Sequence, residues 1–207
     1  MSLLLEQLLT TSWPELIAVV LAVIYLLLVV RENILCWYAA FISTAIFLWI
    51  FWDVHYYMEA ALQVFYLVMA VYGYFQWRQA APANDEHGLS ISTRPWRWHL
   101  RCIAAVLLVS VGSGYLLTWY TDARLPFLDS LTTWASVVTT WMVARKILEN
   151  WLYWLVIDSV SIYLYLDRAL YFTALLFTIY IIIIGFGWRT WYRQYTRQQT
   201  TPASARP

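Results

Sequence analysis

The chain has 207 residues, 62% of them hydrophobic and only 12% charged, with 14 Trp, 16 Tyr and a formal net charge of +1. Soluble domains carry about 25% charged residues, so this composition excludes a soluble globular protein. With charge this sparse and balanced, no nucleic-acid partner is expected.

A membrane-spanning helix needs roughly 20 mainly apolar residues. Seven segments fit, at about 13–30, 33–52, 56–77, 100–120, 127–143, 151–166 and 170–188. They leave no room for a separate soluble domain, so residues 1–207 form one all-α membrane domain. Only Glu6 and Glu15 flank the start of the first span, which therefore lacks the basic n-region of a cleaved signal peptide. Between the third and fourth spans, Arg78 to Arg97 is rich in Pro, Ala, Ser and charge and reads as a flexible loop. The other connections are short, so neighbouring helices should pack as antiparallel pairs. After Trp191 the tail is polar and expected to be disordered. Cys36 and Cys102 fall inside spans at no metal or redox spacing and read as packing residues.

Seven spans put alternate loops on opposite sides of the bilayer. All the basic residues except Arg124 and Arg168 then collect on one side. By the positive-inside rule that side is cytoplasmic, which places the N-terminus outside and the C-terminus inside.

The chain also repeats itself. Glu32-Asn33-x-Leu35-x-Trp37 matches Glu149-Asn150-x-Leu152-x-Trp154 at an offset of 117 residues. Tyr57, Ala60, Leu62, Tyr66, Gly73 and Trp77 match Tyr171, Ala174, Leu176, Tyr180, Gly187 and Trp191 at an offset of 114. Two three-helix units follow, at about 13–77 and 127–191, joined by a linker helix at about 100–120. That single extra span gives both units the same orientation, as in parallel-repeat transporters whose site lies between the repeats. On this register Glu32 and Asn33 start the second helix as Glu149 and Asn150 start the sixth. Asp158 then has Phe41 as its counterpart.

Asp158 stands eight residues past Asn150, about 12 Å into the sixth helix at 1.5 Å per residue. A carboxylate at such depth is expensive and usually faces a cavity or a partner. Trp151, Trp154, Asp158, Ser161 and Tyr165 recur at i, i+3, i+7, i+10 and i+14, one helical stripe. That stripe reads as an aromatic and acidic cavity wall, although for Trp151 alone an interfacial belt would serve as well. On the third helix, Glu59, Gln63 and Tyr66 share one face. Glu59 is near the outer end, where solvation competes as an explanation, whereas Gln63 is deeper and needs partners for its amide. The fifth helix carries Asp129, Thr132, Thr133, Ser136, Thr139 and Thr140; its hydroxyls could bond their own backbone, and Asp129 could be an N-cap.

No Lys or Arg lies deep in a span, which argues against a phosphorylated substrate. Carboxylates among tryptophans suit a compact organic cation, attracted both by aromatic faces and by negative charge. Phosphate-loop, HExxH and nucleophile-elbow motifs do not occur, so neither ATP-driven transport nor common enzyme chemistry is indicated, and no cofactor is expected. His55, His87 and His99 are loop or boundary residues without an expected metal role.

The run ARKILENWLYW, the LQVF stretch at Leu62–Phe65, the LDS at Leu128–Ser130 and the closing GWRTW resemble the Pnu family of bacterial vitamin transporters. This family includes nicotinamide riboside transporters and thiamine-transporting relatives. The resemblance implies a 3+1+3 fold of the full-length SWEET-like kind, a homotrimer and residence in the bacterial inner membrane. It also implies facilitated diffusion of an unphosphorylated vitamin, trapped inside by a cytoplasmic kinase. The family's binding tryptophans and polar groups map to Trp151, Trp154, Gln63 and Asp158. An asparagine amide often stands in place of Asp158 in nicotinamide riboside members, so the acid here favours thiamine. The expected site comprises the ring-stacking Trp151 and Trp154, the charge-offsetting Asp158 and the hydrogen-bonding Gln63. Glu59 and Asp129 are expected outer contacts, with Ser161 and Tyr66 on the same walls. A proton-coupled carrier using Asp158 or Glu59, and a non-transporting scaffold, are the rival expectations.

Overall fold

The computed structural model describes residues 12–53, 55, 57–79, 89–121, 124–168 and 170–200, without the side chains of 57–59, 79 and 172. The chain forms α1 (Trp13–Val30), α2 (Cys36–Asp53), α3 (Tyr57–Gln79), α4 (Trp96–Tyr120), α5 (Pro126–Ala144), α6 (Asn150–Asp167) and α7 (Tyr171–Thr200). Local chemistry sets several boundaries. The Ser12 hydroxyl accepts the Glu15 amide at 3.4 Å and Pro14 sits in the first turn of α1. Pro126 opens α5, where its missing N–H is no loss.

Among the described residues, four helices are long and apolar enough to cross a membrane: α1, α2, α4 and α7. The other three, α3, α5 and α6, carry Gln63, the Ser/Thr series and Asn150 with Asp158, which lower their mean hydropathy. The seven expected spans therefore divide into an apolar set and a set whose polar residues need shelter from lipid.

Six helices close into a ring, in the order α1, α2, α3, α5, α6, α7 and back to α1. Outside it, α4 packs on α5, and His99 reaches the Tyr153 hydroxyl of α6 at 2.9 Å. The outward residues of α4, including Leu108, Leu116 and Trp119, are exposed, as an apolar surface meeting lipid would be.

The ring's buried core gathers at one end, where α1, α3, α5 and α7 finish. Trp37 meets Trp77 edge-on at 5.4 Å and 86°, and Trp151 meets Trp191 at 5.4 Å and 90°. Each of Trp37 and Trp151 fills the space a side chain would need at Gly73 or Gly187. A Cβ there would stand 2.3 Å from the Trp37 ring or 2.5 Å from the Trp151 ring. These matched pairs lie 114 positions apart, and so do Glu32 and Lys146, which touch across the ring.

This corrects the expected register for the ENxLxW run. Trp37 is the counterpart of Trp151, not of Trp154, and Asp158 stands opposite Thr44 rather than Phe41. The matching letters at an offset of 117 are out of step with the packing by one helical turn. What decides the register is which indole lies against which glycine. Glu32 and Asn33 likewise do not start α2; they form the turn before it, and the Asn33 side chain accepts the Leu35 amide at 2.9 Å.

Two connections are more ordered than expected. The second part of the Arg78–Arg97 loop is pinned to the α5–α6 turn, with Ser92 exchanging backbone bonds with Lys146 (3.0 Å) and Leu148 (2.8 Å). Ile91 is buried beneath it. The first part, at 80–88, lies outside the described residues, as does His87. The tail after Trp191 continues as α7 to Thr200, because Tyr195 packs on the core and meets the Thr93 hydroxyl at 3.3 Å.

Candidate functional site

The ring encloses a cavity of about 380 Å³ that draws its wall from all six helices. That volume lies in the ~300–1,000 Å³ range of small-molecule sites. The α6 stripe faces it: Trp151, Trp154, Asp158, Ser161 and Tyr165 all line the cavity. Trp151 is held by Trp191 and by the absent side chain at Gly187, so its plane is fixed before any ligand arrives. Asp158 is 3% exposed, and no Lys or Arg among the described residues pairs with it. Its neighbours are the Tyr165 and Tyr180 hydroxyls, near enough to interact electrostatically. A buried carboxylate without a cation is a liability unless something else neutralises it.

The α5 wall adds Thr132, Thr133, Ser136 and Thr140. The Thr132 hydroxyl donates to the Leu128 carbonyl at 3.0 Å and the Thr140 hydroxyl to the Ser136 carbonyl at 2.8 Å. With their protons used on the helix, these oxygens keep lone pairs for a donor in the cavity. From α3 come Leu62 and Tyr66, from α7 Phe177 and Tyr180, and from α2 Trp37 and Thr44. The α1 side is apolar apart from Tyr25. Among the described residues the cavity thus offers one carboxylate, a hydroxyl-lined face and aromatic rings, with no basic side chain in its lining. Such a lining suits a ligand with a flat cationic ring and hydroxyl donors.

Of the residues singled out in the sequence, Trp151, Trp154, Asp158, Ser161 and Tyr66 come together in this cavity. Gln63 is half-buried on α3, beside the lining Leu62, and is not part of the wall. Asp129 is not an N-cap and not a wall residue. It sits in the first turn of α5, where both carboxylate oxygens accept from Arg168 Nη2 at 2.6 Å. The side chain of Glu59 lies outside the described residues. Sequence reasoning left out Tyr25, Thr44 and Tyr180. Tyr180 had a signal, since it is the match of Tyr66 at 114 residues, whereas Thr44 became visible only once that offset was applied to α2.

Known proteins resemble this chain over almost its whole length. The family model described as nicotinamide mononucleotide transporter matches residues 12–193. The nicotinamide riboside transporter PnuC of Escherichia coli K12 is 24% identical over 204 residues, covering 87% of this chain and 85% of its own. The riboflavin/roseoflavin transporter RibM of Streptomyces davaonensis is 24% identical over 186 residues, covering 89% and 87%. The crystal structure of the vitamin B3 transporter PnuC superposes with a TM-score of 0.73 at 19% identity, covering 95% of this chain and 89% of that one. At that identity the superposition speaks for the fold alone, but the family match spans most of the sequence: the chain belongs to the nicotinamide mononucleotide transporter family, the Pnu family of multi-pass membrane transporters.

Proposed function

We propose that the protein carries an unphosphorylated aromatic vitamin with a cationic ring across the cytoplasmic membrane, with nicotinamide riboside preferred over thiamine. The observation that carries this reading is Asp158, buried in the cavity wall, paired with no Lys or Arg among the described residues and preceded on its helix by Trp151 and Trp154. A positively charged ring would sit between the indoles and satisfy the carboxylate. The hydroxyls of α5 would take the donors of a sugar. The family resemblance, read at Asp158, pointed to thiamine; the relatives named for nicotinamide riboside shift the preference.

In this reading two units, α1–α3 and α5–α7, form a 3+1+3 parallel repeat with α4 as linker. They rock about the site to expose it to either side. Uptake is facilitated diffusion, a cytoplasmic kinase traps the product, and the protein works as a homotrimer with its N-terminus outside. Trp151, Trp154, Asp158, Ser161 and Tyr66 contact the substrate. Gln63 and Asp129 would do so only in another conformation of the ring, and Glu59 is a further outer contact in this reading.

The test is a titration of tryptophan fluorescence in detergent with nicotinamide riboside, thiamine and riboflavin. Nicotinamide riboside is expected to quench at the lowest concentration. If none of the three changes the fluorescence or the melting temperature, the vitamin reading fails. Tighter quenching by thiamine would return the preference to the first expectation. The same unpaired carboxylate supports a second reading, proton-coupled uptake through Asp158. Uptake into vesicles that stops when the pH gradient is removed would favour it over uniport.

A further inference from the structure

Beyond Val29 and Val143, which line the cavity together with Trp37 and Trp151, lies a contact made by two residues outside the cavity wall. The turns after α1 and α5 are wound alike. In each, the residue past the C-cap takes a left-handed φ, 52° at Glu32 and 46° at Lys146. The same two backbone bonds close each turn, Glu32 to Val29 (3.0 Å) with Asn33 to Leu28 (2.9 Å), and Lys146 to Val143 (3.0 Å) with Ile147 to Met142 (2.9 Å). This position favours glycine, because a Cβ there crowds the backbone. Both turns instead hold a long ionisable side chain.

These two side chains meet. Lys146 Nζ donates to Glu32 Oε2 at 2.6 Å, and the side chains are 3% and 10% exposed. The ammonium lies 4.6 Å from the centre of the Trp77 ring, and Trp77 leans on Trp191 at 6.4 Å. The Trp191 indole donates to the Val29 carbonyl at 3.1 Å. The cluster therefore ties α1 and α3 to the α5–α6 turn and α7, across both seams of the ring. The Arg168–Asp129 pair differs: it joins the neighbours α5 and α6 and is 33% and 24% exposed.

A buried ion pair contributes little net stability, because desolvation offsets its attraction, so stability alone is a poor reason for this one. Glu32 Oε1 is moreover buried with no hydrogen-bond partner. Water entering on separation would give that oxygen what the closed state withholds. Such a joint holds firmly while dry and gives way once it opens.

We propose that Glu32 and Lys146 form a latch that keeps this end of the cavity shut and must part for substrate to pass. What passes rests on the transport reading; the latch itself can be tested with no substrate present. Cys36 supplies the probe, being fully buried in the same cluster and within electrostatic reach of Lys146. With Cys102→Ser as background, Cys36 is the one thiol left. In proteoliposomes, maleimide should label it slowly. Glu32→Gln and Lys146→Met should each raise that rate about tenfold, the scale of a modest shift between closed and open populations. Lys146→Arg, and the exchange Glu32→Lys with Lys146→Glu, should keep the rate slow.

Unchanged labelling in both single variants would overturn the latch. So would fast labelling in Lys146→Arg and in the exchanged pair alike. Loss of melting temperature together with protection in the single variants would make the pair a structural brace and also overturn it. Labelling that follows the prediction while no vitamin quenches fluorescence would keep the latch and remove the transport reading.

Discussion

The two walls of the cavity, α1–α3 and α5–α7, are alike at one end and unlike in the middle. At the end where the indoles gather the residues correspond at an offset of 114: Val29 with Val143, Trp37 with Trp151, Gly73 with Gly187, Trp77 with Trp191. Halfway along, Thr44 faces the cavity on one wall where Asp158 does on the other, and Ala40 where Trp154 does. On α1, Ala22 and Leu26 occupy the places that Ser136 and Thr140 hold on α5. The shared residues pack the core at one end of the ring. The unshared ones put the carboxylate, the extra indole and most of the Ser/Thr hydroxyls on the second wall, against Ser43 and Thr44 on the first. Matching residues pack the two indole–glycine contacts, and differing residues set the lining of the cavity.

The largest effect on this contrast should come from removing the carboxylate. Asp158→Ala is expected to weaken binding of a cationic ligand by about 2–5 kcal/mol, because it leaves the buried cation without its partner. Thr44→Ala should change affinity far less. Because Asp158 pairs with no Lys or Arg among the described residues, the Asp158 variant should also melt no lower than the parent without ligand. A large fall in melting temperature with unchanged affinity would make Asp158 structural. Next, the shared end can be broken on either wall. Gly73→Ala and Gly187→Ala each push a methyl into an indole, and overpacking of this kind costs about 1–3 kcal/mol. Thermal melts in detergent should show comparable losses for both, and a loss at one alone would deny the equivalence of the walls. The smallest effect is expected at Trp154, which has no counterpart across the ring. Trp154→Ala should weaken cation binding by about 1–2 kcal/mol, the scale of a desolvated cation–π contact. An equal loss for a neutral aromatic ligand would reduce its role to packing.

Much of this was legible without coordinates. The α6 stripe was a matter of helical spacing, and all five of its residues line the cavity. Tyr66 was placed by the same periodicity. Gln63 was not: its polarity suggested the interior, but it is its neighbour Leu62 that faces the cavity. For Asp129 the sequence left a helix cap and an outer contact both open, and only Arg168, 39 residues away, shows where its charge is met. Lys146 lay in plain sight as a loop residue at the end of α5. Its burial against Glu32 needed both turns to meet.

Composition and periodicity alone determined that this is a helical membrane protein and which residues of α6 share a face, since both are set by neighbours along one chain segment. The closing of the ring, the correspondence of Asp158 with Thr44 and the contact of Glu32 with Lys146 were decided by tertiary structure. Their cause is packing between distant segments: an indole fits only where the facing helix has a glycine. That fit, rather than a run of matching letters, sets how far apart the equivalent positions lie.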